Sequence, residues 1–197
     1  MKAEETGGTL ARRKTDLILK QATQDRIDSH QEVTTEDDRT LVRFFLGDEQ
    51  YAIDAEHIKT VVSQAEWRIY PIPCVPNYLL GVINLRSDII SVLDLKEYFG
   101  LPTTEIDDEA RIIVVHFPPE TGQLVVGFLV DKVVDIKDIS LSKIQPPLTT
   151  IEKVTAEYID GETHFEDKDM GTETLIGIIS VESVLVAEMN ARLSEKK

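Results

Sequence analysis

Cysteine is almost absent from this chain: Cys74 is the only one among 197 residues. An intrachain disulfide is therefore excluded, which fits a reducing compartment. No stretch reaches the roughly 18 consecutive apolar residues of a transmembrane helix. The N-terminus also lacks the apolar segment of a secretory signal. We therefore expect a cytoplasmic protein without direct membrane insertion.

Basic residues are also scarce. There are 21 Lys and Arg residues against 36 Asp and Glu residues, which gives a formal net charge of −15. Such a balance repels phosphate backbones and anionic lipid, so nucleic acid is a poor partner. The hydrophobic content of 42% is sufficient for the core of one domain or of two small barrels.

The usual catalytic motifs are missing. The sequence contains no nucleophile elbow and no phosphate-binding loop. The four histidines lack the short spacing of metal ligands; they are His30, His57, His116 and His164. We therefore expect no cofactor, no metal site and no enzymatic activity.

A small metal- or thiol-dependent enzyme is the alternative, and it would use Cys74, His57 or the acidic segment from Asp160 to Glu173. Cys74 lies between prolines in an apolar segment, where we expect a packed thiol rather than a nucleophile. The acidic segment lacks the regular carboxylate spacing of a calcium loop, so we expect a solvated polar loop.

Composition divides the chain at about residue 40. Residues 1–40 hold seven basic and nine acidic residues and no aromatic residue, which predicts a charged arm that is flexible or weakly helical. An alternative role for this arm is a tethering helix for a partner. We expect a folded domain over residues 41–188 and a polar tail over residues 189–197.

Short apolar runs separated by turn residues predict strands throughout the folded domain. A tetrapeptide echo, Ile89–Val92 and Ile178–Val181, indicates two similar halves over residues 41–105 and 106–188. About five short strands in each half suggest paired small barrels.

Three helices are predicted among these strands. Asp54 is a candidate cap for a helix over Ala55–Val62. Asp94 is a candidate cap for a helical turn that Gly100 ends. Ser180 or Ser183 is expected to begin a closing helix near the C-terminus.

The most informative stretch runs from Gly81 to Leu95 and reads as strand, tight polar turn, strand and helix start. Its turn carries Arg86, whose guanidinium is a permanently charged, forked hydrogen-bond donor, but no catalytic partner. Asn84 is expected to bond the local backbone and stabilise the turn. This predicts a recognition surface; the alternative is an ordinary solvent-exposed arginine.

Several motifs between Leu41 and Leu185 together resemble the CheW-like family, the coupling proteins of bacterial and archaeal chemotaxis. The resemblance depends on their order and spacing; the motifs are Phe45-Leu46-Gly47-Asp48-Glu49, Gly81-Val82, Asn84-Leu85-Arg86, Asp94-Leu95, Val126-Gly127, Val130-Asp131 and Glu157-Tyr158-Ile159.

The resemblance implies a mainly β fold of two five-stranded SH3-like β-barrels around a shared core, with short helices and a C-terminal helix. It also implies a non-catalytic adaptor that couples the cytoplasmic tip of chemoreceptors to the regulatory domain of a CheA-type histidine kinase. One face would dock the kinase and a groove between the barrels would take the receptor. Such an adaptor is expected to be monomeric when isolated.

Two groups of partner-binding residues follow from the resemblance. The turn contributes Asn84, Leu85, Arg86, Ser87 and Asp88, and the expected partner-facing helix contributes Ile58, Thr60 and Val61. The residues themselves leave open whether Ile58 and Val61 face the core or rim a groove.

Three features depart from the family pattern. The family has glycine where Ser87 stands, and serine adopts a positive φ only at a cost of about 1 kcal/mol. We therefore expect either that the turn differs or that Asp88 takes the strained position. The acidic segment after Gly161 and the N-terminal arm are both long. These departures suggest, as an alternative, a specialised paralogue that serves a non-flagellar pathway or competes for the kinase.

Overall fold

The computed structural model describes residues 38–103, 105–118, 124–147, 156–167 and 172–194. Nearly all of the predicted N-terminal arm lies outside the described residues. No helix within them is long and apolar enough to cross a membrane.

Ten strands form the framework. In chain order they are β1 (Asp38–Leu46), β2 (Glu49–Asp54), β3 (Ile58–Ser63), β4 (Leu79–Leu85), β5 (Asp88–Asp94), β6 (Arg111–Phe117), β7 (Leu124–Val130), β8 (Lys132–Ser140), β9 (Ile159–Asp167) and β10 (Thr172–Ile179). Two α-helices accompany them, α1 (Leu95–Phe99) and α2 (Val181–Ser194).

The strands form two five-stranded sheets. The terminal sheet has the order β8-β1-β2-β10-β9, and the central sheet has the order β3-β6-β7-β5-β4. The prediction of a mainly β fold with two groups of five strands is confirmed. The sheets do not follow the predicted halves, because residues 41–105 and 106–188 each contribute strands to both sheets. Parallel pairing of β2 with β10, and of β5 with β7, joins strands that are distant in sequence.

Each sheet encloses its own apolar cluster. The central sheet packs Val62, Ile83, Leu85, Ile112 and others together, and the terminal sheet does so with Leu41, Phe165 and Ile178. Strands such as β6 and β7 are buried on both faces. Helix α2 contacts β6, and β1 contacts β7, so the second faces pack within the same folded unit.

Each sheet has one isolated bridge at an edge strand. Beyond β3, the backbone of Tyr70 pairs with Val82 of β4, the opposite edge of the central sheet. Beyond β8, Gln145 pairs in the same way with Glu162 of β9. Each bridge therefore places a segment that follows one edge strand against the opposite edge strand.

The predicted helix over Ala55–Val62 is wrong. Asp54 does cap a turn, since its side chain accepts a hydrogen bond from the Glu56 backbone at 3.1 Å, but the turn is a 3₁₀ turn that ends at His57. The β-branched run that follows suits a strand better than a helix. It forms β3 and pairs with β6 from Ile58 to Ser63.

The polar loop predicted from Asp160 to Glu173 is also wrong where the structure describes this segment. Residues 159–167 form β9, which pairs with β10 from Ile159 opposite Ile179 to Asp167 opposite Thr172. Phe165 lies in the core of the terminal sheet, and the neighbouring polar residues Glu162 and Thr163 are buried too. The predicted polar tail begins too early as well, because α2 continues to Ser194.

The predicted helix signals at Asp94 and Ser180 are confirmed. The Asp94 side chain accepts from the backbone of Lys96 at 2.9 Å, and Gly100 ends α1 in the left-handed conformation. Ser180 directly precedes α2 and caps it, since its Oγ accepts a hydrogen bond from the Ser183 backbone N–H. The tetrapeptide echo is not a structural repeat, because Val181 starts its helix whereas Val92 lies inside β5.

Candidate partner-binding surface

The turn between β4 and β5 has two residues, Arg86 and Ser87, and both lie in the left-handed region with φ of 52° and 76°. Paired strand residues Leu85 and Asp88 close it. Two left-handed residues give the type of turn that matches the twist of a hairpin, a position that usually takes glycine. Each non-glycine residue there costs about 1 kcal/mol. Ser87 therefore takes the strained position itself, and the expectation that Asp88 takes it is wrong.

Asn84 offsets part of this strain, as predicted. Its Oδ1 accepts a hydrogen bond from the Ser87 backbone N–H at 3.1 Å. The bond holds the turn in one conformation and leaves the Asn84 amide group exposed beside it. A turn fixed in this way presents Arg86 with little backbone freedom.

Leu85 and Ile58 are corrections to the predicted binding surface. Leu85 is 7% exposed and Ile58 is 5% exposed, so both are core residues that anchor the surface from beneath. Thr60 and Val61 are half-buried on β3. The exposed members of the predicted set are Asn84, Arg86, Ser87 and Asp88.

An ion pair brings the two predicted groups to the same end of the central sheet. Lys59 Nζ lies 3.5 Å from Asp88 Oδ2, although β3 is at the opposite edge of the sheet from β4. Both side chains are largely exposed, so the pair contributes little to stability. It shows that the start of β3 and the β4–β5 turn are neighbours in space.

Ile89 is a surface residue that sequence reasoning missed. It is 68% exposed and stands directly opposite Asn84 in the β4–β5 ladder, so the two side chains share a face. The alternation of β5 could have revealed it, because Ile90 and Val92 point inward. The hairpin surface is therefore defined here as Asn84, Arg86, Ser87, Asp88 and Ile89.

Two histidines lie at the same end. The rings of His57 and Phe117 have centroids 6.2 Å apart. Burial, with smaller contributions from the charges of His57 and Lys59, lowers the pKa of His116 below its usual value. This end therefore groups a lysine and two histidines close to the hairpin surface, in a chain whose net charge is −15.

The residues of the enzyme alternative are placed as follows. Cys74 is exposed, contrary to the expected packed thiol. It lies in the irregular segment before β4, in the left-handed conformation with φ of 59°. Within the described ranges, no three His, Cys, Asp or Glu side chains are grouped so that they could hold a metal ion.

Comparison with known proteins gives a consistent result. The family model described as the CheW-like domain matches residues 40–189. The chemotaxis protein CheW of Treponema pallidum is 37% identical over 123 residues, which is 61% of this chain and 70% of that protein. The CheW protein of Bacillus subtilis is 30% identical over 75% of this chain and 87% of its own length.

A solved structure is similar too. The scaffolding protein TtCheW from Thermoanaerobacter tengcongensis superposes with a TM-score of 0.62 at 31% identity, over 73% of this chain and 89% of that one. Strand pattern, sequence and fold therefore agree, and the chain belongs to the CheW-like domain family.

Proposed function

We propose that this chain is a non-catalytic adaptor of chemotaxis signalling that couples chemoreceptors to a CheA-type histidine kinase. Relatives named as chemotaxis proteins and as a scaffolding protein support this role. Within it, the regulatory domain of the kinase and the cytoplasmic tip of the receptor are the two partners. The protein acts in the cytoplasm, reaches receptor arrays through these partners and is monomeric when isolated.

The observation that carries the proposal is the strained turn at Arg86 and Ser87. Backbone strain of this kind persists only where the surrounding structure enforces it, and it concentrates at functional sites. Here it projects a guanidinium beside an exposed amide and an exposed isoleucine. Among the described residues, none forms a hydrogen bond or ion pair with the Arg86 side chain.

The hairpin surface suits protein recognition without chemistry. Arginine beside an apolar residue is a common composition of binding hot spots. The matching partner surface would supply a carboxylate or backbone carbonyls for Arg86 and an apolar pocket for Ile89. No cofactor takes part in such a contact.

The test is complex formation in solution. This protein, the regulatory domain of a CheA-type kinase from the same organism and a soluble receptor-tip fragment would be mixed and analysed by size-exclusion chromatography with light scattering. The proposal expects a binary complex with the kinase domain and a ternary complex with both partners. Kinase binding without ternary assembly would instead indicate a competing regulator, and absence of both complexes would contradict the proposal.

A further inference from the structure

Asp131 lies where the chain passes from one sheet to the other. It separates β7 of the central sheet from β8 of the terminal sheet. Its backbone N–H donates to the carbonyl oxygen of Phe45 in β1 at 3.1 Å. A main-chain hydrogen bond thus already attaches the β7–β8 junction to the terminal sheet.

The Asp131 carboxylate adds a bond to each side of this junction. Its Oδ2 accepts from the backbone N–H of Gly47, in the β1–β2 turn, at 2.6 Å. Its Oδ1 accepts from Lys96 Nζ at 2.5 Å, and Lys96 lies on α1, directly after β5 of the central sheet. One carboxylate therefore bonds the turn of the terminal sheet and the helix of the central sheet together.

Burial makes this arrangement specific. The Lys96 side chain is 5% exposed and that of Asp131 is 24% exposed. A buried ammonium group requires a well-placed counter-charge, because desolvation is costly. Such pairs add little net stability compared with apolar contacts, but they tolerate few alternative arrangements. A rotation of one sheet against the other would separate Lys96 from Asp131 or Asp131 from Gly47.

We propose that Asp131 is a positioning residue that clamps the two sheets at one relative orientation, so that an adaptor can hold two partners at once. The partner-related part rests on the proposed function; the clamp itself does not. Apolar contacts of α2 with β6 and of β1 with β7 keep the sheets together when the clamp is weakened. Loss of the clamp therefore changes orientation rather than removing the fold.

The first test measures orientation without any partner. Residual dipolar couplings of backbone N–H groups in both sheets fit one alignment tensor if the sheets move as one body. We expect one tensor for the wild type and for Asp135→Asn, and two distinct tensors for Asp131→Asn. Asp135 is the matched control, because it pairs with Arg43 through two short bonds inside the terminal sheet.

A second pair of variants guards against misfolding. Lys96→Met removes the buried ammonium group and leaves Asp131 able to accept from Gly47. Lys96→Met combined with Asp131→Asn removes both charges of this pair. Both are expected to melt cooperatively and to show two tensors. A single tensor in these variants, or the same change in Asp135→Asn, would overturn the clamp.

The second test concerns assembly. For Asp131→Asn and the double variant, we expect binary affinities for the kinase domain and the receptor-tip fragment close to those of the wild type. Ternary assembly is expected to need about tenfold more kinase domain, because pre-organisation is lost. Equal loss in binary and ternary binding would overturn the positioning role. If the wild type binds neither partner, the proposed function fails, and the dipolar couplings still decide the clamp.

Discussion

The two five-stranded sheets have the same pattern of pairing and differ in the hairpins at their edges. Each has one parallel pair, β2 with β10 or β7 with β5, and otherwise antiparallel neighbours. Each has one isolated bridge at an edge strand, formed by Tyr70 in the central sheet and by Gln145 in the terminal sheet. A glycine stands beside each bridge, Gly81 or Gly161, where a Cβ atom would meet the bridging segment.

The hairpins next to these bridges differ. In the central sheet, β4 and β5 are joined by only Arg86 and Ser87. In the terminal sheet, β9 ends at Asp167 and β10 begins at Thr172, so more residues connect them. A two-residue turn leaves little freedom in the direction of its side chains.

Charged residues are also used differently. The arginines of β1 in the terminal sheet are paired within the fold: Arg39 lies 2.7 Å from Asp54, and Arg43 bonds Asp135 and lies over the ring of Phe165. Arg86 in the central sheet is exposed. The same topology therefore pairs the arginines of β1 within the fold and leaves Arg86 of the β4–β5 turn exposed.

Substitution of the glycine beside each bridge, Gly81 or Gly161, should show the largest difference in stability between the two sheets. In Gly81→Ala the new Cβ would lie 2.1 Å from the Tyr70 carbonyl oxygen, which is backbone, and φ is +142°. We expect a loss of about 4 kcal/mol in the free energy of unfolding, from strain and overpacking together. In Gly161→Ala the nearest atom is the Ile144 Cγ2 at 2.7 Å, a side-chain end, so about 1–2 kcal/mol is expected. Urea unfolding of both variants measures the difference, and equal losses would contradict it.

A buried and an exposed position of β5 should separate stability from binding. Leu93 is fully buried, so Leu93→Ala is expected to cost about 3 kcal/mol. Ile89→Ala should change the free energy of unfolding by less than about 0.5 kcal/mol and yet weaken kinase-domain binding. Urea unfolding combined with calorimetric titration checks both; a stable Ile89→Ala that binds normally would remove Ile89 from the surface.

Two substitutions at the β4–β5 turn, Ser87→Gly and Asn84→Ala, should change the free energy of unfolding in opposite directions. Ser87→Gly relieves a left-handed serine and is expected to stabilise the protein by about 1 kcal/mol. Asn84→Ala removes the bond to the Ser87 backbone and should cost about 1 kcal/mol. The unfolding midpoints of the two variants in urea provide the test, and destabilisation by Ser87→Gly would show that the turn is not strained.

The smallest expected effect is a pH dependence. Because the pKa of His116 is lowered in the folded protein, the unfolded chain binds more protons just below its usual pKa of about 6.5. The contribution of His116 is therefore complete above that pH and is lost as the pH falls towards the folded value. We expect His116→Gln to flatten the decline in stability between about pH 7 and pH 5. Urea unfolding of the wild type and His116→Gln at several pH values measures this, and an unchanged slope in the variant would contradict it.

The sequence predicted best where short-range rules decide the structure. The β4–β5 hairpin, the Asp94 cap and the Gly100 stop all depend on residues within a few positions of one another. The helix predicted over Ala55–Val62 failed because the Asp54 cap was a correct local signal, whereas pairing of β3 with β6 is a long-range interaction. Capping alone does not set the length of a helix.

The candidate site was predictable in position but not in depth. The polar turn marked Arg86 and Asn84 correctly as exposed, since turn residues rarely enter a core. The family resemblance listed Leu85 and Ile58 among the partner-binding residues, yet both side chains are buried. Lys59 lies beside the hairpin surface because folding brings the start of β3 next to Asp88, and the contacts of Asp131 likewise arise only on folding.

The most direct test of the account is the affinity of Arg86→Ala for the kinase regulatory domain, measured by isothermal titration calorimetry beside Arg68→Ala. Arg68 is also exposed, so both variants lose the same charge from the central part of the fold. The account predicts at least about tenfold weaker binding for Arg86→Ala, near-normal binding for Arg68→Ala and almost unchanged melting for both. Equal affinities of the two variants, or a sharp fall in the melting temperature of Arg86→Ala, would contradict it.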